Sequence, residues 1–217
     1  MPTIPYKSSK GKVPSQSAIK SQIGWGSGGL SYWHWKQGSE GVAWGDIYKT
    51  ATVPGTIAHL MIEHYLHKTE PDLQPYTIED IEKAYTAFQG FDSWMSMWQV
   101  EPIYIEPNLV SEIYQFGGTP DLVCKVDGVG GMKTALVDYK TGKTYESIFV
   151  QLEAYRRLVE ENYGITIEDY HVLRIPKNED TVSFHHSRWD KLPEAAGIAF
   201  DAALALYKAE KELKKYL

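Results

Sequence analysis

At 217 residues with 43% hydrophobic content, the chain can bury a core as one domain with an elaborated periphery, which excludes disorder throughout. A net charge of -6 argues against a protein wrapped in nucleic acid and leaves room only for a local basic groove. The lone Cys124 excludes an internal disulfide and a cysteine-held zinc or iron–sulfur centre, and no stretch reads as a membrane span or signal peptide, so a reducing intracellular setting without membrane contact is expected.

The first residues carry Lys7, Lys10, Lys12 and Lys20 without an acid, among Ser, Pro and Gly. Residues 1–22 therefore read as a flexible basic arm, either a solvated tail or a phosphate-contacting arm, ahead of a single domain over 23–217. From Gly24 to Gly45 the chain is rich in Gly and Trp and shows no strong period. Its cluster Tyr32-Trp33-His34-Trp35 reads as packing of an irregular N-terminal cap, with stacking on a nucleic-acid end or single strand as the competing reading.

A helix is predicted from Pro54 to His67, on the spacing of Ile57, Leu60, Met61, His64 and Tyr65 after Thr52 and Pro54. A second begins at Thr77, where Thr77 and Asp80 resemble a capping box, and runs to Gly90, with a third over 91–100. Strands are predicted at 103–105 and 109–114, then a hairpin, then a helix through Ile148, Leu152, Tyr155 and Val159 to Gly164. Strands at 171–175 and 182–185 and a final helix over 192–217 complete a mixed α/β fold, a central mixed sheet flanked by helices behind an N-terminal helical region.

The hairpin holds the chemistry. Residues 121–127 enter the turn Gly128-Val129-Gly130-Gly131, and residues 133–140 leave it. Symmetric pairing sets Asp127 against Met132 and, counting outward, Asp121 against Asp138, while strand alternation turns Asp138 and Lys140 to one side and Tyr139 to the other. Like charges opposed across a ladder repel unless a cation joins them. Asp121 and Asp138 could hold Mg²⁺ or Mn²⁺, with the backbone carbonyl of Tyr139 as a further ligand. Lys140 would then orient a water or stabilise developing charge.

Gly118-Thr119-Pro120-Asp121, Asp138-Tyr139-Lys140-Thr141-Gly142 and Gln151-Leu152-Glu153-Ala154-Tyr155 together resemble the PD-(D/E)XK nuclease superfamily. Gly55-Thr56-Ile57-Ala58-His59 and the Gln-x-x-x-Tyr spacing are most similar to its RecB-like and phage exonuclease branch, over roughly residues 53–175. The resemblance implies a restriction-endonuclease-like core and a metal-dependent DNA nuclease, most of all an exonuclease of phage-type recombination or repair. It implies His59, Asp121 and Asp138 as metal ligands, Lys140 as the catalytic lysine, and Gln151 and Tyr155 beside DNA. Glu106 matches loosely an acid that some members carry on the preceding strand.

The cysteines that hold an iron–sulfur cluster in some relatives are missing, so none is expected. The implied partner is DNA, with a single-strand annealing or other recombination protein beside it, in the host cytoplasm if the chain is phage-encoded. Tyr155 also lies on an apolar stripe, which leaves core packing as its alternative reading. His64, His67, His185 and His186 are decoys for the metal-binding histidine. Gly142-Lys143-Thr144 lacks the earlier glycine of a phosphate-binding loop. Rival readings are a non-catalytic binding or assembly module on the same fold and a site-specific endonuclease with the same chemistry.

Overall fold

The computed structural model describes residues 5–25, 27–128, 130–177 and 183–217. Residues 5–22 correct the expectation of a flexible arm. β1 (Lys7–Ser8) and β2 (Gly11–Lys12) form a small hairpin, and α1 (Gln16–Lys20) follows, capped by the Ser15 hydroxyl. Ile19 is fully buried in the core, Tyr6 hydrogen-bonds Thr119 at 2.9 Å, and Gly117 N–H donates to Pro14 at 2.9 Å. Lysine content made this segment look solvated, and two buried apolar side chains, Val13 and Ile19, with backbone pairing hold it down.

α2 (Ser27–Ser39) forms where no period was legible, because its aromatics are spread around the helix rather than along one face. Nor do they pack as a cap: Tyr32, Trp35 and Trp44 are 65%, 66% and 64% exposed. Their rings meet mainly one another, as in the 4.5 Å edge contact of His34 with Trp44.

α3 (Trp44–His67) starts ten residues before the expected Pro54, which lies inside it. Proline lacks an N–H and is expected to open a helix, yet here the turns before it are already formed. α4 (Ile78–Met97) starts as expected, with Thr77 accepting from Asp80 N–H, and passes through Gly90 without stopping. Gly90 is small for contact rather than for termination. A Cβ there would stand 2.5 Å from the Ser183 carbonyl oxygen.

β3 (Glu101–Ile105), β6 (Leu122–Gly128), β7 (Gly131–Lys140), β8 (Asp169–Arg174) and β9 (His185–Trp189) form the central sheet in the order β3-β6-β7-β8-β9. β4 (Leu109–Ser111) and β5 (Phe116–Gly118) pair separately, so the expected strand over 109–114 stops at Ser111 and turns. The strand expected over 182–185 begins at His185, and Val182 lies outside the described residues. β7 and β8 are parallel, joined through α5 (Ser147–Tyr163), and the other pairs in the sheet are antiparallel. Gly164, at φ +66, ends α5 as expected. The final helix, α6, occupies Glu194–Leu213.

Alternation along β6 and β7 divides the core. Leu122, Cys124, Val126, Ala135, Val137 and Tyr139 pack against α3 and α4, whereas Val123 and Leu136 pack against α5 and α6. Asp138 therefore points to the α5 side. Among the described residues no helix is long and apolar enough to cross a membrane.

At the β8–β9 edge, buried His171 and half-buried His186 share a 2.8 Å contact between Nδ1 and Nε2, flanked by Trp94, Trp98, Asp169 and Arg188. Burial is the main force lowering both pKa values to about 4; His186 next to His171 and Arg188 next to His186 add to it, against Asp169. With folded values near 4 below the ordinary 6.5, the unfolded chain binds more protons between them. Stability is therefore present above the unfolded value and lost as pH falls from about 6.5 towards 4, by on the order of 1 kcal/mol per pH unit. Thermal unfolding midpoints across that range are expected to fall accordingly, and to fall less steeply in His186→Gln.

Candidate active site

The β6–β7 register is the one counted from the turn: Asp127 pairs with Met132 and Leu122 with Val137. One step further sets Asp121 opposite Asp138. Gly130 and Gly131, at φ +94 and +116, take the backbone conformations that this reversal needs. Asp121 Oδ2 accepts a 2.7 Å hydrogen bond from Tyr139 N–H, which locks the two strand ends together.

Asp138 is fully buried. Its Oδ1 accepts from Gln151 Nε2 at 2.8 Å, while Oδ2 takes no aligned hydrogen bond and forms an ion pair with Lys140. Burial raises the Asp138 pKa from its ordinary value, with Lys140 opposing and Asp121 adding. Burial pulls the Lys140 ammonium downwards, but Asp138 and then Asp121 outweigh it, so the lysine stays charged.

His59 enters from α3, on the other side of the sheet end. Its Nδ1 stands 3.7 Å from both Glu106 Oε1 and Asp121 Oδ1, and its ring rests against that of Tyr139 at 5.7 Å. Burial disfavours its charged form, and the two carboxylates reverse this to raise its pKa. Gly55, one turn earlier, explains how α3 comes so near: a Cβ there would lie 2.8 Å from Thr141 Oγ1. Glu106, matched only loosely in sequence, belongs to the cluster. Its backbone is left-handed at φ +43, and its N–H donates to the Asp121 carbonyl at 3.0 Å. That conformation turns the side chain to the cleft and leaves no trace in composition or period.

Above these groups opens a cleft of about 490 Å³, lined by Gly55, Thr56, His59, Glu106, Lys140 and Lys143. His64 and His67 lie elsewhere on α3, His64 bonded to Thr69. His185 and His186 are on β9, outside the cleft. Among the described residues, no group of three His, Cys, Asp or Glu side chains is disposed as it stands to hold a metal ion.

Gln151 and Tyr155 are expected beside DNA, but both are only 7% exposed. Tyr155 sits in the core against Gly118, where a Cβ would come within 3.0 Å of its ring, and its hydroxyl accepts from Gln151 Nε2 at 3.2 Å. The tyrosine positions the amide, and the amide holds Asp138. Gln151 Oε1 in turn accepts from Lys20 Nζ at 2.6 Å. The Lys20 pKa is lowered by burial first and Lys140 second. Sequence reasoning assigned Lys20 only to the arm; nothing local signals that a lysine 131 residues from Gln151 reaches this amide.

No family model matches this chain. No curated protein matches it either. Among solved structures, the chain is similar to a protein from Eubacterium rectale described as a "putative exonuclease", at 8% identity and a TM-score of 0.44 over 73% of this chain. It spans 65% of that protein, just under two thirds. It is also similar to LHK-Exo, an alkaline exonuclease from Laribacter hongkongensis, at 12% identity and a TM-score of 0.38, covering 75% of this chain and 83% of that one. A structure of LHK-Exo with dAMP gives 13% identity and a TM-score of 0.37, covering 74% and 80%.

The approach of α3 to Thr141 is open to test. In a Thr141→Ala background, Gly55→Ala should gain about 0.5–1 kcal/mol of helix propensity, whereas in the parent chain the clash should offset that gain. Urea unfolding of the four proteins measures the coupling.

Proposed function

We propose that this protein is a metal-dependent DNA nuclease, in the first place an exonuclease of phage-type recombination or repair. One observation carries the reading: Asp121, Asp138 and Lys140, set by one hairpin register, meet Glu106 and His59 at the end of the sheet beneath an open cleft. The motif order along the chain supports it independently.

The donor chemistry fits a hard divalent ion. Glu106 and Asp121 flank His59 at 3.7 Å, Asp138 stands next to Asp121 across the ladder with Lys140 and Lys20 as the nearby cations, and the buried Asp138 Oδ2 has no aligned hydrogen bond. Such an excess of negative charge is relieved by Mg²⁺ or Mn²⁺. His59, Asp121, Asp138 and the Tyr139 carbonyl would hold it, with Glu106 beside them, once Lys140 yields Asp138 Oδ2. The ion would supply Lewis-acid polarisation of the phosphodiester and a more acidic water.

The protein's own groups do the rest. Lys140, kept protonated by Asp138 and Asp121, is placed to neutralise charge building on a phosphoryl oxygen or to orient the attacking water. Gln151 fixes the rotamer of Asp138, and Tyr155 fixes Gln151. Tyr139 serves twice, with its N–H orienting Asp121 and its ring backing His59. DNA is the proposed partner, and a single-strand annealing or other recombination protein is the companion this role would call for.

Asp138→Asn should keep the far-ultraviolet dichroism of the parent and lose Mg²⁺- or Mn²⁺-dependent degradation of linear DNA by about 10²–10³ or more. Undiminished cleavage would overturn the assignment. Parallel incubation with covalently closed circular DNA should leave the circle intact, and chelation by EDTA should stop digestion of the linear substrate.

A further inference from the structure

The two lysine-rich stretches of this acidic chain lie at opposite ends of the sequence and meet in space. The first twenty residues carry four lysines and no acid, and the last ten carry four lysines and two glutamates. Together they hold a charge of +6 in a chain whose total is -6, which leaves -12 on the remainder. A separation of this size concentrates positive potential on one region of a protein that otherwise repels polyanions.

That region has a shape. The β1–β2 hairpin and the chain after it form one wall, the last turns of α6 form the other, and a groove of about 390 Å³ runs between them. Lys12, Gln115, Tyr207, Lys208, Lys211 and Lys215 line it. Lys208 and Lys211, three apart on α6, share one face, and Lys215 follows in the turn after the helix, so the lysines of this wall crowd one side where like charges are disfavoured unless an anion lies between them. The nearby acids are already engaged. Glu212 pairs with Lys215 at 2.5 Å, and Glu210 pairs with Lys214 at 2.6 Å while accepting from Gln22. Among the described residues, Lys12 and Lys208 have no acidic partner, and Lys211 lies over the Tyr207 ring at 5.5 Å.

The groove wall is tied to the strand that runs on to Asp121. Pro14 accepts from Gly117 N–H at 2.9 Å, so the wall that carries Lys12 is bonded directly to β5, and β5 runs on through Thr119 and Pro120 to Asp121. Six residues separate Gln115 from Asp121, at most about 20 Å of extended chain. At roughly 3.4 Å per phosphate along one strand of a duplex, that spans about six phosphates. Lys20, at the end of α1 in the same N-terminal segment as Lys12, reaches the Gln151 amide beside the acids.

We propose that this groove binds the sugar–phosphate backbone of the DNA whose end occupies the cleft, so that the N-terminal hairpin and the C-terminal helix act as one electrostatic track. The proposal rests on the nuclease reading for the identity of the polyanion. Lysines act here as point charges without bidentate geometry, so the track holds the backbone without reading bases.

The test uses the full chain and a Lys12→Gln/Lys208→Gln/Lys211→Gln triple variant, with none of these residues in the cleft. Binding of a thirty-base-pair duplex in EDTA should weaken at least tenfold at low salt. The dependence of log affinity on log salt should become shallower by about 2–3, at ~0.9 per lost phosphate contact. Hydrolysis of bis(4-nitrophenyl) phosphate with Mn²⁺ should be unchanged, since that small diester needs only the cleft. Parental affinity and salt slope in the variant would overturn the proposal. So would loss of poly-glutamate binding without loss of DNA binding, which would assign the groove to an acidic protein. A parent chain whose DNA binding depends on these lysines, yet which hydrolyses neither the diester nor DNA, would uphold the track and remove the nuclease reading.

Discussion

Everything at the site depends on the pairing of β6 with β7. A slip of one residue would turn Asp138 and Lys140 into the α3–α4 layer and bring Tyr139 to the α5 side, so chemistry and core would fail together. Two forces hold the register. Apolar side chains on both faces of both strands bury only in this alignment, and the glycine turn closes only at this length. Against them stands the opposition of Asp121 and Asp138, which the Tyr139 N–H, the Gln151 amide and the Lys140 ammonium offset in part. Packing thus forces together charges that would otherwise separate.

Around this hairpin the site is drawn from both layers of the protein. α5 delivers Gln151 and Tyr155 from one face, and α3 delivers His59 from the other, so the cleft forms where the two layers pass the end of the sheet. Close approach is bought with missing side chains at Gly55 and Gly118, each where a Cβ would meet a neighbour at 2.8–2.9 Å. These glycines act in packing rather than in turns.

The hairpin was legible because its information is local: strand alternation, a glycine turn, and acids at countable positions. The α5 pair was legible for a similar reason, as residues four apart share a helix face. What local pattern could not supply was depth and long-range partnership. Gln151 and Tyr155 were found on one helix face and read as standing beside DNA, but their depth, and the polar atoms that satisfy them, could not be read from local pattern. Glu106 turned inwards through a single left-handed residue, and Lys20 reached the site through a fold-level contact. Helix limits misled wherever Pro54 and Gly90 were read as punctuation, because tertiary contact decided both. The buried acids, lysine and histidine show as a cluster only once strand register and helix docking coincide.

The contact between Lys20 and Gln151 has a bearing on how the chain is made. Residues 5–23 are made well before the partners that hold them, β5, α5 and α6. Until α6 emerges, Ile19 has an incomplete burial site and the amide that steadies Asp138 lacks one of its own restraints. The site is therefore closed by joining residues made before the sheet to helices made after its catalytic hairpin, and a partly synthesised chain holds the acids without the full frame that would aim them.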